Sequence, residues 1–191
     1  MRTTPLLLML GLSLAAQTPA AKPAPKPAAE PTIGAAIDGT YQWVPGQFIS
    51  AAEAMPEDKF DWAPTQGEFK EVRTFAQQVK HVAAVNYYVG AAILGEKPPA
   101  EVGNPEKGPD SLKTKAEIIA YLKGSFEYSR KAIQGLTPKN GTRSVKNPFG
   151  EGTMTPLGMA TLLAFHGMDH YGQMVVYLRM NGIIPPASRK K

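Results

Sequence analysis

This sequence predicts an all-α fold, a bundle of four helices. Three observations carry that expectation. Apolar residues recur at helical spacing in four stretches, breaker-rich connections separate those stretches, and no part of the body alternates for long in the strand fashion.

The first helix is expected over Ile37 to Ala54, IDGTYQWVPGQFISAAEA. Pro45 and Gly46 should kink or end it, because an interior proline removes a backbone donor. Met55-Pro56 closes it, and PEDKFDWAPTQGEF reads as loop, with Trp43 and Trp62 packing over a bundle end. The second helix opens on a capping box, Thr74-x-x-Gln77, and runs to Leu94 before Gly95 and Lys97-Pro98-Pro99. Phe75, Gln78, His81, Val82, Val85, Tyr88 and Ala92 recur along it at helical spacing. The third opens on another capping box, Thr114-x-x-Glu117, and ends at Gln134-Gly135, with Ile119, Leu122, Phe126 and Ile133 as its buried stripe.

Thr155-Pro156 starts the fourth helix, since proline in a first turn lacks only an N–H that would go unused. It reaches Met180 and stops at Asn181-Gly182, ahead of Pro185-Pro186. Leu162, Leu163, Phe165, Met168, Met174, Val175, Val176 and Leu178 surround it, which predicts a central helix. The connections are each roughly 18 to 20 residues, against about 2 to 8 in simple bundles. Links of that length can span the bundle, so parallel neighbours become possible.

The ends of the chain read differently. Arg2 followed by Leu6 to Ala16 (LLLMLGLSLAA) has the pattern of a secretory signal peptide over residues 1–16, with cleavage after Ala15 or Ala16. The run is too short for a membrane-spanning anchor, and no cysteine follows it to carry lipid. Residues 17–31 are almost wholly Ala, Pro and Lys, a solvated tether. The folded body then covers 32–187, and 188–191 form a basic tail. The chain is therefore expected in the periplasm or secreted. It has no cysteine, so no disulfide holds it.

The net charge of +5 comes from these ends. Without residues 1–31 and the last three, basic and acidic residues are equal in number. A neutral body with no basic stripe argues against nucleic acid as a partner.

The chemistry sits in the histidines, of which there are 3. His166 and His170 are four apart in AFHGMDHYGQMVVYL, and residues i and i+4 share a helix face. His81 lies in the middle of the second helix. Three imidazoles from two helices can grip one divalent ion and leave coordination positions open, which distinguishes catalytic from closed structural sites. The alternative is that they plug the core without a metal. His166, His170, Gln173 and Tyr177 form the only polar stripe of the fourth helix. Asp169 is the candidate proton acceptor or imidazole-orienting group, or else a solvated surface acid. Gln173 and Tyr171 are candidates for supporting the ligands. Five methionines in the last third read as core filler rather than copper ligands. No Gly-rich phosphate loop, CxxC pair or nucleophile elbow is present.

Four segments resemble the DinB/YfiT-like superfamily of four-helix bundles: MPEDKFDWAP (55–64), RTFAQQVKHVA (73–83), TKAEIIAYLK (114–123) and HGMDHYGQMVVYLRMNGIIPP (166–186). The last is the most specific, joining H-x3-H to G-Q, Y-L-R and a terminal P-P. The resemblance implies an up-down-down-up bundle in which the second and third helices run parallel. It implies a divalent-metal triad of His81, His166 and His170, with zinc or nickel as the ion, and many members look like dimers. Some relatives are thiol-dependent transferases or isomerases and others metal-dependent hydrolases. Low-molecular-weight thiols are cytosolic, so export argues against thiol S-transfer here. The expectation is a metal-dependent hydrolase or transferase acting on a small molecule. Its alternative is a non-catalytic metal- or ligand-binding module with a structural or sensory ion.

Overall fold

The computed structural model describes residues 30–190, so the expected signal peptide and nearly all of the tether lie outside the described residues. Five α-helices form the body: α1 (Ile33–Tyr41), α2 (Trp43–Ala54), α3 (Phe75–Leu94), α4 (Lys115–Gln134) and α5 (Pro156–Met180). A small hairpin of β1 (Val145–Lys146) and β2 (Thr153–Met154) interrupts the last connection. The fold is mostly helical, with this one two-stranded sheet among the described residues. No helix among them is long and apolar enough to cross a membrane.

Three helix starts follow from local chemistry. Thr74 and Gln77 form a complete capping box on α3, and Thr114 and Glu117 do the same on α4. Thr155 Oγ1 accepts from Gly158 N at 3.1 Å at the head of α5, with Pro156 in the first turn. Gly95 ends α3 in the left-handed conformation, φ 76°.

The first helix departs from expectation. It begins earlier, at Ile33, because Thr32 Oγ1 accepts from Ala35 N at 3.1 Å. It also divides at Gln42. Pro45 has no N–H for the carbonyl of Tyr41 and its ring crowds that carbonyl, so the break falls upstream of the proline itself.

The core is drawn from every helix, with Tyr41, Phe48, Phe75, Leu122, Leu163 and Leu178 fully buried. Helices α3 and α4 meet in register order, Asn86 with Ser125 and Gly90 with Tyr128. Helix α5 meets α3 in the opposite order, Gln173 with Gln78 and His166 with His81. Gly167 sets how closely α5 approaches α2. A Cβ there would stand 2.6 Å from Val44 Cγ1, so any larger residue would force Val44 or the helix spacing to shift.

Helix α5 is not the central cylinder its composition predicts. Met159, Leu163, His170, Met174 and Leu178 are buried, but Phe165 is 62% exposed and Met168 and Val176 also face outward. Among the described residues, these three side chains of its second apolar face stay exposed. Trp62 packs edge-on against Tyr177, with ring centroids 5.4 Å apart. Trp43, by contrast, is 70% exposed and covers no bundle end.

Candidate metal centre

The site lies on the seam between α3 and α5. His81 projects from the middle of α3, while His166 and His170 share one face of α5. The ring centroids of His81 stand 5.0 Å and 4.8 Å from those of His166 and His170, which are 4.6 Å from each other. One donor atom from each residue falls within 4.8 Å of the others. His81 Nε2 and His166 Nε2 are 3.1 Å apart. Nitrogens sharing a tetrahedral zinc-sized ion at bond lengths near 2.0–2.1 Å would stand about 3.3 Å apart, so that spacing suits a common cation.

Register comes from flanking contacts. Gln78, one turn before His81, donates from Nε2 to Oε1 of Gln173 at 2.8 Å, one turn after His170. His81 is oriented from the other side by the loop before α4. Its Nδ1 donates to the carbonyl oxygen of Pro105, which fixes the tautomer and leaves the Nε2 lone pair facing the cluster. Gly108 makes that contact possible. Its φ is +69°, and a Cβ would stand 2.5 Å from Lys80 Cβ, so only glycine lets the loop lie against α3 here. Arg73 fastens the same loop, donating from Nε to the carbonyl of Glu106 at 2.6 Å and pairing with the Glu106 carboxylate.

Burial decides the charge state of the cluster. It pushes His166 down to about 3, helped by the neighbouring His170 and His81. His170 is lowered to about 4, again by burial first and then by His81 and Arg73. His81 is lowered by burial, partly opposed by its bond to Pro105. At neutral pH all three rings are uncharged and their lone pairs are available. Two further nitrogens, His166 Nδ1 and His170 Nδ1, are buried with no partner among the described residues. Gln78 Oε1 is the third such atom among the described residues, and it belongs to the same seam. A donor set of neutral imidazoles, short of partners and crowded around one point, fits a divalent cation.

The other sequence candidates fall around this centre. Gln173 touches the seam through Gln78 and also donates from Nε2 to Asp169 Oδ2 at 3.0 Å. Asp169 is exposed, and its charge acts on His166. Tyr171 is not brought to the cluster; its hydroxyl donates to Gln47 Oε1 at 3.2 Å on the α2 side. A cavity of about 260 Å³ opens onto His81 and His166, bordered by Pro105 and Glu106. The larger cavity of about 630 Å³, by Arg73 and Gln78, contains none of the imidazoles, so the smaller one is the chemical candidate.

Arg73, Pro105 and Glu106 are the site neighbours that sequence reasoning missed. Arg73 carries one faint signal, its position just ahead of the α3 capping box. Pro105 and Glu106 lie in a connection with no periodicity, marked only by the flanking Gly103 and Gly108.

Comparison with known proteins agrees with this architecture. The fold is similar to that of a DinB-like protein from Bacillus subtilis, YjoA, at TM-score 0.59 and 18% identity, over 82% of this chain and 99% of that one. A DinB-like protein from Bacillus cereus ATCC 10987 is similar at TM-score 0.60 and 16% identity, over 78% and 93% of the two chains. No curated protein is a significant match. The DinB superfamily model matches residues 40–174, which include all three histidines and most of the helical body. The chain belongs to the DinB superfamily.

Proposed function

We propose that this chain binds one divalent cation, zinc or nickel, through His81, His166 and His170, and uses it as a hydrolase or transferase acting on a small molecule. The observation that carries the reading is the convergence of three neutral imidazoles on the seam that holds every unpartnered buried side-chain polar atom among the described residues. A bound cation supplies Lewis acidity there, polarising a substrate heteroatom or lowering the pKa of water toward neutrality. The protein's own part is positioning. Pro105 holds the His81 ring, and Arg73 and Glu106 hold the loop that carries Pro105. Glu106 borders the cavity and is the carboxylate nearest the path of a substrate. Asp169 is the alternative proton acceptor, acting from beside His166.

Elemental analysis of tag-free protein tests the ion, with one equivalent expected in the unaltered chain and none in His170→Ala. Ester, amide and phosphoester libraries then test the reaction. Turnover should vanish in His170→Ala, and failure of every class on metal-loaded protein overturns the enzymatic reading. A structural ion is the second reading, favoured by the burial of His81 and His170. It predicts a large loss of thermal stability on chelation with no exchangeable coordination position.

The same proposal places the protein in the periplasm or outside the cell, released by cleavage after Ala15 or Ala16 and spaced by residues 17–31. Fractionation and N-terminal sequencing check this. It also takes the bundle as up-down-down-up, which the opposite contact orders of α3 with α4 and with α5 support. A homodimer is the expected assembly, tested by sedimentation.

A further inference from the structure

We propose that the substrate of the histidine site carries an aryl group, and that Phe149 and Phe165 hold it beside the imidazoles. This rests on the histidine cluster being the reactive centre. It narrows the substrate class that the cluster alone leaves open.

The cavity that reaches His81 and His166 is walled by Val85, Pro105, Phe149, Leu162 and Phe165. Glu106 is its one charged residue, and that carboxylate is already paired with Arg73. No lysine or arginine lines it. An anionic group entering here could meet only the cation and finds no donor on the walls, whereas a flat apolar group would replace water at every wall. A second cavity of about 400 Å³ adjoins it and shares Val85, Pro105, Glu106 and Phe149. It adds Ala84, Tyr88, Val102 and Pro148, so the apolar lining continues away from the imidazoles. The two together are in the size range of small-molecule sites.

The aromatic walls come from separate parts of the chain. Phe165 stands on α5 one residue before His166, and it is 62% exposed. Phe149 is 48% exposed at the turn between β1 and β2. That turn is stiff. Asn147 Oδ1 accepts from Phe149 N at 3.0 Å, Asn147 N donates to the carbonyl of Gly152 at 3.0 Å, and Gly152 takes φ +82°. Arg143 ties the base of the hairpin to α3 by donating to the carbonyl of Ile93 at 2.7 Å. The Phe149 ring meets Tyr88 edge-on, with centroids 6.1 Å apart. An aromatic ring is thus held half in water at the opening of the chemical cavity. A ligand ring between Phe149 and Phe165 would bury both, with the edge or offset contacts such rings favour.

The test uses the full chain loaded with cobalt, titrated with imidazole and with 4-phenylimidazole while the cobalt d–d absorption is followed. 4-Phenylimidazole should bind at least about tenfold more tightly than imidazole. The double substitution Phe149→Ala, Phe165→Ala should cut that advantage to under about threefold while leaving the affinity for imidazole unchanged. Equal affinities in the unaltered chain overturn the proposal, as does an advantage that survives the double substitution. A second arm needs no metal: toluene is titrated into the metal-free chain and the methyl NMR shifts of Val85 and Leu162 are followed. Saturable shifts, lost in the double variant, support the aryl groove; their absence overturns it. Cobalt uptake without aryl preference removes the groove and spares the metal centre. Toluene binding without cobalt uptake does the reverse.

Discussion

Two seams of this protein bury polar side chains, and they are finished differently. Where α4 meets α1 and α3, every group closes on another. Arg130 donates from Nε and Nη2 to the two oxygens of Asp38, each at 2.8 Å, and Gln134 adds a third bond at 2.7 Å. Deeper in, Tyr41 Oη meets Ser129 Oγ at 2.9 Å, and Asn86 Nδ2 donates to Ser125 Oγ at 3.2 Å. The two serines pass their protons to the carbonyls of Phe126 and Leu122. On the α3–α5 side His166 Nδ1, His170 Nδ1 and Gln78 Oε1 find nothing. A buried polar group without a partner costs about 1–3 kcal/mol, so three in one seam need a reason that packing does not supply. The first seam is complete in the folded chain. The second is left open in the folded chain, beside the Nε2 atoms of His81 and His166 that face a common point.

The largest effect that could break this contrast is metal-dependent stability. With metal present at about a thousandfold over its dissociation constant, binding adds roughly 4 kcal/mol. Chelation of the loaded protein should then lower Tm by on the order of 10 °C. His170→Ala should abolish that response, while Asn86→Ala should retain it in full. A chelator response in His170→Ala, or none in the unaltered chain, would mean that the two seams do not differ in this way.

Next comes Asn86→Ala, which acts on the closed seam. It removes the bonds that Asn86 makes with Tyr41 Oη and Ser125 Oγ, leaves those atoms only Ser129 and the Leu122 carbonyl, and opens a small cavity, so a loss of about 2–4 kcal/mol is expected by urea unfolding. A change below about 0.5 kcal/mol would show that the network is decorative. Asp38→Asn should cost less, about 1–2 kcal/mol at neutral pH, because Arg130 is partly exposed. Here the pH dependence sharpens the test. Arg130, and then Gln134, hold the Asp38 carboxyl below its ordinary value against the opposing effect of burial. That stabilisation is fully present above the unfolded carboxyl pKa near 4, and it is lost as pH falls through the lower folded value. The Tm curves of the unaltered chain and Asp38→Asn should therefore differ at neutral pH and converge in acid. Parallel curves would refute the role of the ion pair.

Legibility in the sequence followed locality. Helices α3, α4 and α5 announced their starts through Thr74 with Gln77, Thr114 with Glu117, and Thr155 with Pro156, all within one turn. The helix-face pairing of His166 and His170 is equally local. The arrival of His81 beside them depends on the register of α3 against α5, which spacing alone leaves free; the DinB resemblance of these segments is what implied it. Pro45 was visible, but its consequence fell on the carbonyl of Tyr41, four residues upstream. The loop carrying Pro105 and Glu106 was illegible because Gly108 fits against Lys80, a residue 28 positions earlier, and nothing periodic marks that contact. Burial of α5 was misjudged for a related reason. Phe165, Met168 and Val176 have core composition, and composition does not say whether a neighbour is there to cover them.

The smallest predicted effect probes the open seam directly. Gln78→Met removes the unpartnered Oε1 together with the Nε2 bond to Gln173. In the metal-free chain, losing the bond costs about 0.5–1.5 kcal/mol, while removing a buried oxygen without a partner returns a similar amount. Methionine also keeps the length of the side chain, so packing changes little. The net change should stay within about 1 kcal/mol, far below that of Asn86→Ala, although Asn86 and Gln78 lie on the same helix and are equally buried. Equal losses at the two positions would show that both seams are fully bonded in solution, and the asymmetry on which the metal reading rests would be gone.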